Sequence, residues 1–263
     1  LGWVEKLPFD KIPNSKNLVP NLVKPPSDPT GEYSLPWQAG TTGIAYNLKA
    51  TGGKELTSVA DLWDPALKGK VSVLTEMRDT IGLIAMSEGI DISTANTIEQ
   101  YQPAFDTLKE QVDNGQIRQF TGNEYVGPLE DGSLAACFAW SGDVLGMENP
   151  DIRYVVPDSG GTLWFDAMVI PKGASNVDDV AEWMNFVYDP VNAAQITAAV
   201  QFISPVQGVQ EQLRKMGGED AALADNPLLF PDDATKARLH TFANLSDDQE
   251  AKFDAEFSKI SGA

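Results

Sequence analysis

Apolar positions along the middle of the chain alternate between two periods. Val71-Ser-Val-Leu74 reads as a short strand, and Thr80 to Ser87 is an apolar segment of helical length that stops at Gly89. Ile98, Tyr101, Phe105, Leu108 and Val112 step by three and four residues, which places them on one helix face. Pro103 lies inside that pattern, where it kinks the helix or marks its first turn, and Gly115 supplies the stop. A turn signal at Glu130-Asp-Gly132 precedes a strand from Leu134 to Trp140, and Arg153 to Val156 and Leu163 to Ile170 are two more. Upstream, residues 1 to 36 are rich in Pro, Asn, Ser and Lys and read as irregular chain, followed by a strand at Ile44-Ala-Tyr46.

The last third is mainly helical. Val180, Trp183, Met184 and Val187 share a face. Asp189-Pro190 is an N-cap and first position for a helix running to about Val200. Ser246-Asp-Asp-Gln249 is a capping box that opens a final helix with Phe253, Phe257 and Ile260 on its apolar face. Strands separated by helices predict an α/β fold with largely parallel sheets.

Composition narrows the function classes. Across 263 residues, 19 basic and 38 acidic side chains leave a formal net charge of −19. Such a surface repels phosphates, so nucleic acid and anionic membranes are poor partners; it admits a cationic ligand without requiring one. One cysteine, Cys137, excludes an internal disulfide and sits in an apolar run as a buried small hydrophobe. One histidine, His240, argues against a His-based metal site or a Ser-His-Asp triad, and neither metal nor cofactor is expected. No apolar run approaches the roughly 18 residues of a membrane span. The chain opens at Leu1 rather than methionine, which reads as a processed or trimmed product.

Three stretches could carry chemistry. Leu74-Thr-Glu-Met-Arg-Asp79 lies between a strand and a helix, where ligands of open α/β sheets bind, and presents Glu76, Arg78 and Asp79. Asp79 equally suits a helix cap. In Leu163-Trp-Phe-Asp-Ala-Met-Val-Ile170, Trp164 and Asp166 are two apart and point to one side of the strand. A carboxylate beside an indole suits an organic ammonium, through a charge-assisted hydrogen bond and the ring quadrupole; the alternative is an Asp that caps a neighbouring loop. In Phe138-Ala-Trp-Ser-Gly-Asp143, Trp140 is either a second aromatic wall or a core residue, with Ser141 and Gly142 as polar contacts. Trp3, Trp63 and Trp183 read as packing residues, Trp37 is ambiguous, and the six methionines read as core filler. Neither a G-x-S-x-G elbow, a P-loop, a G-x-G-x-x-G fingerprint nor an EF-hand loop is present.

The stretch Leu35-Pro-Trp-Gln-Ala-Gly-Thr-Thr-Gly-Ile-Ala-Tyr-Asn47 resembles the entry to the second lobe of bacterial spermidine/putrescine-binding proteins. Ser58-Val-Ala-Asp-Leu-Trp-Asp-Pro-Ala-Leu-Lys-Gly-Lys70, Gly160-Gly-Thr-Leu-Trp-Phe-Asp166, Ile170-Pro-Lys-Gly-Ala174 and Phe230-Pro-Asp232 follow in that family's order. The resemblance implies a substrate-binding component of an ABC importer, not an enzyme, with a type II periplasmic-binding fold. Two α/β lobes would close on ligand in an interlobe cleft: residues 1–40 and 161–210 as lobe 1, and 41–160 and 211–263 as lobe 2.

By the same resemblance Glu76 and Asp79 would meet one amine, Trp140 would form an aromatic wall, and Trp164 with Asp166 would grip another part of the polyamine. A polar residue that the family supplies late in the chain does not align cleanly, with His240 and Thr241 as candidates. The implied partners are a polyamine and a membrane permease, and the implied location is periplasmic or extracellular, with lipoprotein tethering as one variant. The family's first strand–helix–strand segment has no counterpart here, so lobe 1 is expected to be incomplete, with exposed sheet edges that favour self-association and weak ligand binding. Two alternatives stand beside this reading. One is the same fold around a metal ion, anion or phosphonate. The other is a two-carboxylate hydrolase.

Overall fold

The computed structural model describes residues 2–25 and 27–262. Its strands are β1 (Leu35–Asn47), β2 (Val71–Leu74), β3 (Ile117–Thr121), β4 (Ala136–Trp140), β5 (Ile152–Val155), β6 (Gly161–Met168) and β7 (Leu239–His240). Its helices are α1 (Met77–Ser87), α2 (Ile98–Asp113), α3 (Val126–Asp131), α4 (Ser141–Leu145), α5 (Val177–Val187), α6 (Pro190–Val200), α7 (Val209–Met216), α8 (Gly218–Leu223), α9 (Asp233–Lys236) and α10 (Asp247–Ser261). The chain divides into two units, Leu1–Gly40 with Phe165–Asp232 and Thr41–Trp164 with Asp233–Ala263. β1 and β6 each run from one unit into the other.

The second unit is built on a sheet in the order β3-β2-β4-β1-β6-β7, with β5 also pairing along β1. β2 is parallel to β3 and β4, and β6 to β7, whereas β1 is antiparallel to β4 and β5. The sheet is therefore mixed rather than largely parallel. All four residues of β2 are buried, as a central strand between two neighbours requires. Phe253 and Phe257 of α10 are buried as expected; the Phe253 ring meets Tyr101 and Phe105 of α2 edge to face at 4.9 and 5.7 Å. Each such burial stabilises by about 1.5–3 kcal/mol. Ser246 caps α10 by accepting from the Gln249 N–H, but the Gln249 side chain does not return the bond. It accepts instead from the Ile98 N–H at 2.8 Å, so one residue helps cap two helices. Pro103 sits inside α2, whose first turn is closed by Thr97 and Gln100.

The first unit packs α5, α6, α7 and the short 3-10 turns of its N-terminal stretch around Ile12, Leu18, Leu35, Ile170, Met184, Tyr188 and Leu213. The Tyr188 hydroxyl donates to the Pro36 carbonyl at 2.7 Å, and Asn14 donates two bonds to Asn185, from its N–H to the side-chain oxygen and from its side-chain amide to the backbone carbonyl. Residues 211–232, expected with the second lobe, lie in this unit, because Val209 and Leu213 carry α7 into its core. Three packing readings are corrected: Trp3 is 73% exposed, Met216 is 40% exposed, and Trp183 is 49% exposed with its ring 5.4 Å from Trp37. Cys137 is buried, and burial pushes its thiol pKa up.

Candidate ligand-binding site

The carboxyl end of β2 leads through Thr75 and Glu76 into α1. The Thr80 hydroxyl donates back to the Leu74 carbonyl at 2.7 Å, which fixes how the helix leaves the strand. Glu76 is the N-cap: its carboxylate accepts from the Asp79 N–H at 2.7 Å. The cap expected of Asp79 is thus made by Glu76. Glu76 stays exposed at its rim, yet the protein packed around it strips water and raises its carboxyl pKa. The Asp79 N–H opposes that rise, and the nearby Asp79 charge adds to it.

Asp79 points inward and is 4% exposed. Its two oxygens take separate bonds, from the Trp140 indole Nε1–H at 2.9 Å and from the Thr162 hydroxyl at 2.6 Å. Burial raises its pKa, while the hydroxyl of Thr162, the indole of Trp140 and the neighbouring Thr42 hydroxyl favour the ionised form. Thr42 Oγ1 is itself buried without a well-formed hydrogen bond.

Trp140 ends β4 and is half-buried, so neither the purely core reading nor a freely exposed wall describes it. Its backbone N–H donates to the Tyr125 hydroxyl at 3.0 Å, which donates to Asp143 at 2.6 Å; the Tyr125 and Trp140 rings lie 6.4 Å apart. Asn123 also donates to Asp143. The indole is therefore fixed through its ring nitrogen, its backbone and one flank. Ser141 is committed elsewhere, accepting from the Thr41 N–H at 3.2 Å, and is 1% exposed. Arg78 pairs with Glu250 and donates to the Ala243 carbonyl, tying α1 to the start of α10.

Trp164 and Asp166 occupy alternate positions of β6 and so share a face of that strand, about 7 Å apart along it. Trp164 is half-buried and Asp166 is exposed. Partial loss of water still raises its carboxyl pKa. Thr162, two residues before Trp164 on that face, was missed; the period of two from Trp164 was the available signal. Tyr125 and Asp143 were missed because nothing local marks a pair 18 residues apart. His240 lies in β7 opposite Thr162, and Thr241 is exposed. Among the described residues there is no cluster of three or more His, Cys, Asp or Glu placed to hold a metal ion.

Residues 2–235 match a family described as bacterial extracellular solute-binding protein. The spermidine/putrescine-binding periplasmic protein of Escherichia coli is 27% identical over 89% of this chain. This chain spans 65% of that protein's length. The Salmonella typhimurium protein of the same name is 25% identical over 98% of this chain and 72% of its own length. Among solved structures, a putative spermidine/putrescine ABC transporter from Listeria monocytogenes superposes with a TM-score of 0.87 at 28% identity, covering 98% of this chain and 78% of that one. A spermidine/putrescine ABC transporter substrate-binding protein from Streptococcus pneumoniae gives 0.81 at 26%, covering 99% and 78%.

Proposed function

Because the chain belongs to the bacterial extracellular solute-binding protein family and has the two-lobed α/β fold of type II periplasmic binding proteins, we propose that it captures a polyamine, spermidine or putrescine, for an ABC importer. It acts outside the cytoplasm, hands its ligand to a membrane permease, and binds rather than transforms it. Support comes from relatives whose names carry those ligands and that match most of this chain. The observation that carries the reading is local: Glu76 stays an exposed residue at the start of the helix whose Asp79 grips the Trp140 indole.

A protonated amine gains a charge-assisted hydrogen bond from Glu76 and a favourable quadrupole from the face of Trp140. Methylenes between amines pack on indole surface, for which Trp164 is the second source. Asp166 meets another ammonium, set off from Trp164 by one strand step. The net charge of −19 draws a polycation toward the protein before any contact forms.

An anion binder would need basic groups here, and Arg78 is committed to Glu250. A two-carboxylate hydrolase is disfavoured as well, because Asp79 has both oxygens occupied and is sealed from solvent. Calorimetric titration of Asp166→Asn tests the proposal. Polyamine affinity is expected to fall at least tenfold, about 1.4 kcal/mol; unchanged affinity would remove Asp166 from the site.

A further inference from the structure

We infer that Asp79 and Thr162 are positioning residues for Trp140: they hold the indole in its ligand-facing orientation through the Trp140–Asp79–Thr162 bridge and do not touch the ligand. This rests on the polyamine reading of the same site and departs from the expectation that Glu76 and Asp79 together meet one amine.

The geometry leaves Asp79 little freedom. One oxygen accepts the indole N–H at 2.9 Å and the other the Thr162 hydroxyl at 2.6 Å, and the side chain is 4% exposed. An ammonium reaching it would have to displace one of these two donors. The bridge joins the end of β4, the first turn of α1 and the start of β6, which are otherwise separate segments. A tryptophan ring turns about two side-chain bonds, and a carboxylate on its only N–H removes that freedom. The ring is therefore set before ligand arrives, and less ordering cost falls on binding. Thr162 in turn stops the carboxylate from rotating. Of the two carboxylates on this turn, Glu76 alone is left to offer charge, so this unit recognises a single ammonium.

A double-mutant cycle between Asp79→Asn and Trp140→Phe separates the two roles, because phenylalanine keeps a ring but has no N–H. Asp79→Asn alone is expected to weaken spermidine binding about tenfold, and in the Trp140→Phe background by less than about twofold. Factors that simply multiply would overturn the inference and make Asp79 a direct contact. Thr162→Val is expected to weaken binding about threefold, with Thr162→Ser restoring it; a loss that Ser does not rescue, or no loss at all, would overturn the role of Thr162. A second readout needs no ligand. The indole 1H–15N resonance that disappears in Trp140→Phe is expected to move upfield in both Asp79→Asn and Thr162→Val, and a resonance that stays in place contradicts the bridge. If the protein bound no polyamine, the resonance would still test the bridge, so failure of the ligand assignment and failure of this inference are distinguishable.

Discussion

At the level of single residues, buried carboxylates do opposite work in the two units. Asp28, 7% exposed, is sealed by its own loop rather than by depth. Burial pushes its pKa up, but the N–H of Tyr33, the hydroxyls of Thr30 and Ser34 and the N–H of Ser34 outweigh this and leave it below the ordinary value. A depressed carboxyl contributes stability that is present above its unfolded pKa and lost as pH falls through the folded one. Asp28→Ala is therefore expected to cost about 2 kcal/mol at neutral pH in denaturant unfolding, and less at pH 3. An equal cost at both pH values would contradict the charge-based account. Asp79 has the reverse sign: its raised pKa makes the ionised form a cost above the unfolded value, relieved on acidification. The sequence made both Glu76 and Asp79 visible as polar groups at a strand end. It could not assign their roles, because which carboxylate turns inward depends on Trp140 and Thr162, 61 and 83 residues away from Asp79.

At the level of elements, helices were more legible than strand partners. The three- and four-residue steps of α2 and the Asp189-Pro190 start of α6 are local signals, and the structure places both helices there. β1 is longer than the Ile44–Tyr46 expectation because its small residues, Gly40, Thr41, Thr42 and Gly43, carry no apolar alternation. Gly43 shows why such residues occur there. A Cβ would lie 2.5 Å from the Val155 carbonyl and 2.9 Å from the Tyr154 ring, so the close β1–β5 pairing admits only glycine. Gly43→Ala is expected to destabilise the protein by about 2 kcal/mol. A melting temperature equal to wild type would show that β5 gives way without loss. The mixed sheet escaped sequence reading for a related reason: β1 and β4 each look like ordinary strands, and nothing local states that they run antiparallel.

At the level of the whole molecule, the expected lobes came from a resemblance in motif order rather than from any local pattern. Residues 211–232 group with the first unit, where Leu213 and Ala224 join its core and α7 packs on α6. The net charge of −19 and Glu76, exposed at the start of α1, suit the proposed cationic guest, and this central claim is exposed to calorimetric titration of spermidine and putrescine between pH 7 and pH 4. Glu76 and Asp166 both have raised carboxyl pKa values, so affinity should be full at neutral pH and begin to fall above the ordinary carboxylate range as each takes up a proton. Saturable heats at pH 7 that weaken on acidification are the predicted result; no heat with either amine at pH 7, or an affinity indifferent to pH across that range, would contradict it.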